Sequence, residues 1–161
     1  MKLLPPICLA IMLGLTACGP QQSVYQNAAE APLPDPRAKQ LWGNDLAAAK
    51  AQAAKNNKLV LVDFTGSTWC PPCIALHEYV LTQPEFLDFA EQHLELVALD
   101  FPRDNEQVDP ANARLALEYQ VDGFPTVIVM DPQGKTLHRL EGFSNKNAKA
   151  YTADLKQALN K

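Results

Sequence analysis

The sequence predicts an α/β domain with a mixed central sheet: parallel where strands are joined through helices, antiparallel at one edge, and covered by helices on both faces. Three observations carry this. Helix-like and strand-like stretches alternate from about residue 44 onward. Leu59-Val60-Leu61-Val62 is an unbroken apolar run, as in strands covered on both sides. Thr126 to Met130 is β-branched and apolar and leads into turn chemistry, so the next stretch folds back beside it. Of 161 residues, 47% are apolar, enough for one packed core and too many for a disordered chain.

Taken in order, Asn44 or Asp45 caps an Ala-rich helix that runs to about Asn56. Residues 58–65 form the buried strand. A helix starts at Pro71, because proline suits a first helical turn, and Pro84 breaks or kinks it. Beyond that break Phe86, Phe89 and Ala90 recur at helical spacing. Residues 94–101 are a second strand. Asp109 caps a further helix, with Pro110 at its first position, through Tyr119. Asp131-Pro132-Gln133-Gly134 has type I turn residues and joins Thr126–Met130 to residues 135–140 as a hairpin. Ala148, Tyr151, Leu155 and Leu159 mark one face of a last helix, capped by Ser144 or Asn145. There is no internal repeat.

Residues 1–17 stand apart. They hold Lys2 and an apolar stretch from Ile7 to Leu15, shorter than the ~20 residues that span a bilayer, and read as an export signal peptide. Leu15-Thr16-Ala17-Cys18 resembles the lipobox of bacterial lipoproteins. That resemblance implies that Cys18 is acylated and becomes the mature N-terminus, held at the periplasmic face of the cell envelope. Gly19 is not the aspartate that retains enterobacterial lipoproteins at the inner membrane, which favours the outer membrane in a Gram-negative host. Residues 18–36 include Pro20, Pro32, Pro34 and Pro36, lack any period and read as a flexible tether. It would reach at most ~60 Å when taut and ~25 Å as a coil. Residues 37–161 are the folded domain.

The formal net charge of −4 argues against sequence-independent binding to nucleic acid. Loss of residues 1–17 leaves 13 basic and 18 acidic side chains. The acids cluster: Glu78 to Asp122 holds eleven against Arg103 and Arg114, whereas residues 123–161 hold six bases against three acids. One acidic flank could steer basic partners. Of the four cysteines, Cys8 leaves with the signal and Cys18 would carry lipid. Cys70 and Cys73 remain, and the loop between them is too small to staple a fold. Their use is chemical.

Trp69-Cys70-Pro71-Pro72-Cys73 follows a buried strand and opens a helix, the setting in which C-x-x-C is a redox motif. With Thr65-Gly66-Ser67-Thr68 before the dithiol and Gly123-Phe124-Pro125-Thr126 beyond it, the chain resembles the thioredoxin superfamily from about residue 40 to its end. The resemblance implies a thioredoxin-like fold and a thiol–disulfide oxidoreductase with no cofactor beyond the redox-active Cys70–Cys73 pair. Physical chemistry assigns the roles. A cysteine at a helix N-terminus meets free amides and the positive dipole end, which favour its thiolate, so Cys70 attacks. Cys73, one turn in and shielded, resolves the mixed disulfide. Pro71 and Pro72 lack N–H groups, so the nearest donors to the Cys70 sulfur are the amides of Cys73 and Ile74.

Asp63, embedded in Leu-Val-Leu-Val-Asp-Phe, should be desolvated and hard to ionise. In thioredoxins a buried acid at the corresponding strand position exchanges a proton with the second cysteine. Asp63 stands seven residues before Cys70, one more than in thioredoxin. The resemblance also implies that the Phe124–Pro125 bond is cis and that Phe124 and Pro125, beside Trp69, form a groove for a substrate strand.

The reading is an exported, membrane-tethered enzyme that exchanges disulfides with exported proteins, as a monomer. A reductant fed by a membrane thiol donor is favoured, and oxidase or isomerase activity stays open. A second class is a copper- or other metal-binding carrier using Cys70, Cys73 and His77, four residues on and on the same helical face. Zinc is disfavoured by the lack of a second ligand pair. Against copper, Met130 is the one methionine beyond the signal and sits in an apolar strand. A scaffold without catalysis would leave the dithiol without purpose.

Overall fold

The computed structural model describes residues 31–103 and 107–160. The segment read as an export signal, Cys18 and residues 19–30 of the tether lie outside the described residues. In chain order the elements are α1 (Ala38–Leu41), β1 (Trp42–Gly43), α2 (Leu46–Asn56), β2 (Leu59–Thr65) and α3 (Pro71–Leu76). The helix α3 runs on into a π-helical turn, His77–Leu81, before α4 (Pro84–His93) and β3 (Leu94–Asp100). Then come α5 (Pro110–Glu118), β4 (Thr126–Met130), β5 (Thr136–Glu141) and α6 (Ala148–Leu159).

The strands stand in the order β1-β3-β2-β4-β5. β1 and β2 run parallel to β3, while β4 is antiparallel to both β2 and β5. This is the expected mixed sheet, and β2 lies at its centre for the reason its sequence gives. Val60, Val62 and Phe64 point into one core with Leu46, Val97 and Ile128, beneath α2 and α5. Leu61 points into the other with Leu76, Val80, Phe86 and Tyr151, from α3, α4 and α6. A strand covered on both faces has no polar side, hence the continuous apolar run.

The helix ends follow the polar residues. Asp45 accepts from the Ala48 amide at 3.0 Å and Asp109 from the Ala111 amide at 2.7 Å, each satisfying a donor that the first turn leaves free. Pro71, Pro84 and Pro110 all occupy first-turn positions, so Pro84 ends one helix by opening the next. The cap of α6 differs from expectation. Asn147, not Ser144 or Asn145, accepts from the Ala150 amide at 2.9 Å. Asn145 instead adopts a left-handed conformation, φ 56°, which an asparagine tolerates in a loop but which is not the extended conformation of an N-cap.

Two features were not expected from the sequence. The helix after the dithiol widens into a π turn: the Thr82 amide bonds to the His77 carbonyl five residues back, at 3.1 Å. The Thr82 hydroxyl donates to the same carbonyl at 3.0 Å, and the Gln83 side-chain Nε2 donates to the Glu78 carbonyl at 2.7 Å. Side chains thus satisfy the carbonyls that the wide turn frees. Second, residues 34–39 form a strap along this turn. The Asp35 amide bonds to the Thr82 carbonyl at 2.9 Å. Arg37 pairs with Asp35 at 2.7 Å, Asp88 at 2.9 Å and Glu91 at 2.7 Å, which ties the strap to α4. Trp42 completes the fastening by donating from Nε1 to the Leu81 carbonyl at 3.3 Å.

Candidate active site

The dithiol is positioned by the loop from β2 to α3. The amides of Trp69 and Cys70 both bond to the Gly66 carbonyl, at 3.3 and 3.0 Å. Asp100, at the end of the neighbouring strand, accepts from the Ser67 amide at 2.8 Å. The Trp69 indole donates to the Phe101 carbonyl at 2.7 Å and lies flat against Gly66, where a Cβ would stand 2.6 Å from an indole carbon. Gly66 is therefore required by close approach. We expect Gly66→Ala to displace Trp69, with a loss of stability of about 2 kcal/mol, typical of overpacking, and slower reaction of Cys70. Denaturant unfolding and alkylation rates measure the two effects.

Cys70 and Cys73 are joined as a disulfide with their Cα atoms 5.2 Å apart. Cys70 precedes the first helical residue, and Cys73 lies one turn inside. Both sulfurs are largely covered in the oxidised form, Cys70 keeping 4% of its surface and Cys73 1%. The amides of Cys73 and Ile74 bond to the Cys70 carbonyl, both at 3.0 Å. The donors nearest the sulfur are thus shared with the helix itself.

Asp63 lies on the same face of β2 as Leu61, which shares a core cluster with Leu76 of α3, the helix that carries Cys73. The carboxyl is 2% exposed, and its Oδ1 has no hydrogen-bond partner among the described residues. Burial, and secondarily the negative charge of Asp100, push its pKa up to about 7. The desolvation expected from the sequence is present.

Beside the dithiol, the Phe124–Pro125 peptide bond is cis. Phe124 meets Trp69 edge-on, with centroids 6.0 Å apart, and packs on Phe101 at 4.9 Å. The Pro125 carbonyl accepts from the Gly142 amide at 2.8 Å, and the Thr126 hydroxyl donates to the Gly123 carbonyl at 2.7 Å. These bonds hold the loop against the start of β4. Trp69 and Phe124, which the resemblance places with Pro125 in one groove, are thus in ring contact. Asp100, Phe101 and Arg103 were not singled out in the sequence. The Arg103 guanidinium stands 4.6 Å over the Trp69 ring, a cation–π contact. The signal for Asp100 was there: an acid closing the apolar strand Leu94–Asp100.

His77 is exposed at the start of the π turn and lines a cleft with Pro34, Trp42 and Thr82. Desolvation holds its pKa below the usual imidazole value, against the opposing charge of Glu78. Among the described residues no three His, Cys, Asp or Glu side chains come together as a metal site, so the three-ligand arrangement considered for copper is not assembled. No helix among the described residues is long and apolar enough to cross a membrane.

Comparison with known proteins agrees with this geometry. A family model for a thioredoxin-like domain matches residues 46–158. The disulfide bond reductase DsbH of Chlamydia pneumoniae is 32% identical over 152 residues, which cover 92% of this chain and 90% of that protein. A thioredoxin H-type of Brassica campestris is 33% identical over 109 residues, 68% of this chain and 74% of the other. Among solved structures, a DsbH oxidoreductase superposes with a TM-score of 0.68 at 33% identity, covering 81% of this chain and 88% of that one. Fold, dithiol setting and relatives converge: the chain belongs to the thioredoxin superfamily and is a thiol–disulfide oxidoreductase.

Proposed function

We propose that the protein is an exported, lipid-anchored disulfide reductase that acts on protein clients in the cell envelope. The observation that carries the reductase reading is the likeness to a protein named a disulfide bond reductase over nine-tenths of both chains. The export and anchoring rest on residues 1–17 and on Cys18, whose sequence setting is that of a lipoprotein. Electrons come from a membrane thiol donor, because cytosolic reductants do not reach an exported domain.

The chemical cycle uses the groups around the dithiol. In the reduced protein the Cys70 thiolate attacks a client disulfide; one client sulfur leaves and a mixed disulfide forms. Cys73 gives its proton to the Asp63 carboxylate and attacks Cys70. The Cys70–Cys73 bond closes, the second client thiolate leaves and is protonated, and the client has gained two electrons. Trp69, Phe124 and Pro125 hold the client strand. In support, no hydrogen bond engages the Phe124 backbone among the described residues, which leaves its donor and acceptor to a strand laid beside it.

Equilibration of the Cys70–Cys73 pair against glutathione buffers, read by alkylation and mass, tests the direction. A reductase has a potential near about −270 mV, and a value near about −120 mV makes the protein an oxidant instead.

A further inference from the structure

Asp63 is enclosed almost everywhere. Leu61 precedes it on its own strand face, Val127 is its partner on β4, and Leu76 of α3 and Tyr151 of α6 belong to the same core cluster as these two. All four are nearly or completely buried. On the remaining side its partner is Ala98 of β3. In the same register Leu61 pairs with Leu96, and both belong to one core cluster, so Ala98 shares the face of Asp63. A methyl group is all that Ala98 places there. It is also part of the wall of a cleft of about 590 Å³, whose other side is the strap at Pro34, Pro36 and Lys39 and whose rim carries His77 and Thr82. Neighbouring strands lie about 4.8 Å apart, so the floor of this cleft is one strand from the carboxyl.

We infer that this cleft is the route by which the Asp63 proton reaches solvent, with the Ala98 methyl as its inner wall and His77 at its mouth. The inference rests on the proton role proposed for Asp63. With its pKa raised to about 7, Asp63 is protonated in part of the reduced molecules at neutral pH and must release that proton to solvent before it can take the one on Cys73, and the apolar packing on its other sides offers no exit. The π turn accounts for the opening. By widening the helix at His77, and by spending the freed carbonyl on the Thr82 amide and hydroxyl, it leaves a space that the strap roofs over without filling. Water entering from the mouth reaches Ala98 and, through small motions of that wall, Oδ1 of Asp63, which lacks a partner among the described residues. The proton passes to that water and out as hydronium or to buffer, so the cycle balances. The ionisable groups facing Asp63 are Asp100 from β3, Tyr151 from α6 and Cys73 from α3. At the cleft they are His77, Lys39 and Asp35.

The test uses the full-length reduced protein mixed with excess dithionitrobenzoate. A first thionitrobenzoate is released by attack from Cys70 and a second by resolution through Cys73, and both rates are followed from pH 5 to 9. Asp63→Asn is expected to slow the second phase about 10²-fold at pH 7, within the range for a positioned proton acceptor. Ala98→Leu thickens the wall; it slows the second phase about tenfold, a part of that same contribution, leaves the first phase alone, and adds nothing in the Asp63→Asn background. Ala98→Ser brings a hydroxyl to the wall and accelerates the second phase, which decides the matter if the leucine variant fails to fold. An unchanged second phase in the Ala98 variants, with Asp63→Asn slow, overturns the route alone. Slowing by Ala98→Leu that persists in the Asp63→Asn background overturns it too, as an effect of packing. An unchanged second phase in Asp63→Asn overturns the proton role from which the route was inferred.

Discussion

Cys73→Ser should convert the protein into a trap. Incubated with a disulfide-bonded client, the variant accumulates a covalent adduct through Cys70, visible on a non-reducing gel and released by added reductant. Turnover, measured as insulin reduction, falls by well over about 10³-fold, because a millimolar external thiol must replace a neighbour whose effective concentration, when well oriented, reaches roughly 10⁵ M. Cys70→Ser gives neither adduct nor turnover. The asymmetry follows from position: Cys70 precedes the first helical residue, whereas Cys73 lies one turn inside the helix. An adduct formed equally well by the Cys70→Ser variant through Cys73 would reverse the assigned order.

How far this site could be read beforehand depends on the range of the interactions that build it. The dithiol, its helix start and the apolar strand before it are local: Pro71 and the run Leu59 to Val62 state their own conformation. The burial of Asp63 was legible for the same reason, since a carboxyl between Val62 and Phe64 on a strand covered on both faces has nowhere to be solvated. Contacts between distant segments were not legible. Nothing near Ser67 says that Asp100, 33 residues later, will hold its amide, and nothing near Trp69 says that Phe101 will accept from its indole. β1 has two residues, too few to show a period, and exists because Trp42 and Gly43 align with Leu96 and Val97. The π turn depends on Thr82 and Gln83 folding back on His77 and Glu78, where only the break at Pro84 was visible. The cleft beside Asp63 is a product of these nonlocal features, with one wall from the strap and one from β3.

Replacing Asp63 by asparagine should stabilise the protein most at alkaline pH. In the unfolded chain the carboxyl titrates near 3.8, whereas in the folded protein burial and the charge of Asp100 raise it to about 7. Between these values the folded state holds a proton that the unfolded state has released, so stability falls as pH rises through this window and levels off above about 7. Below about 4 both states are protonated and the penalty vanishes. Three pH units at about 1.4 kcal/mol each make the full penalty on the order of 4 kcal/mol. Asparagine has no charge to desolvate. At pH 8 the Asp63→Asn variant should therefore melt about 10 °C higher than the parent, for a domain of this size. The difference should shrink steadily to near zero by pH 4, as measured by denaturant and thermal unfolding of the oxidised protein. A difference that stays constant across that range would mean that Asp63 titrates normally, and would remove the raised proton affinity on which its exchange with Cys73 depends. Stability and catalysis thus make opposite demands at this position. The ionised carboxyl is held at a cost in an apolar face, and the return on that cost is a base whose proton affinity lies near neutral pH, where a resolving thiol must lose its proton quickly.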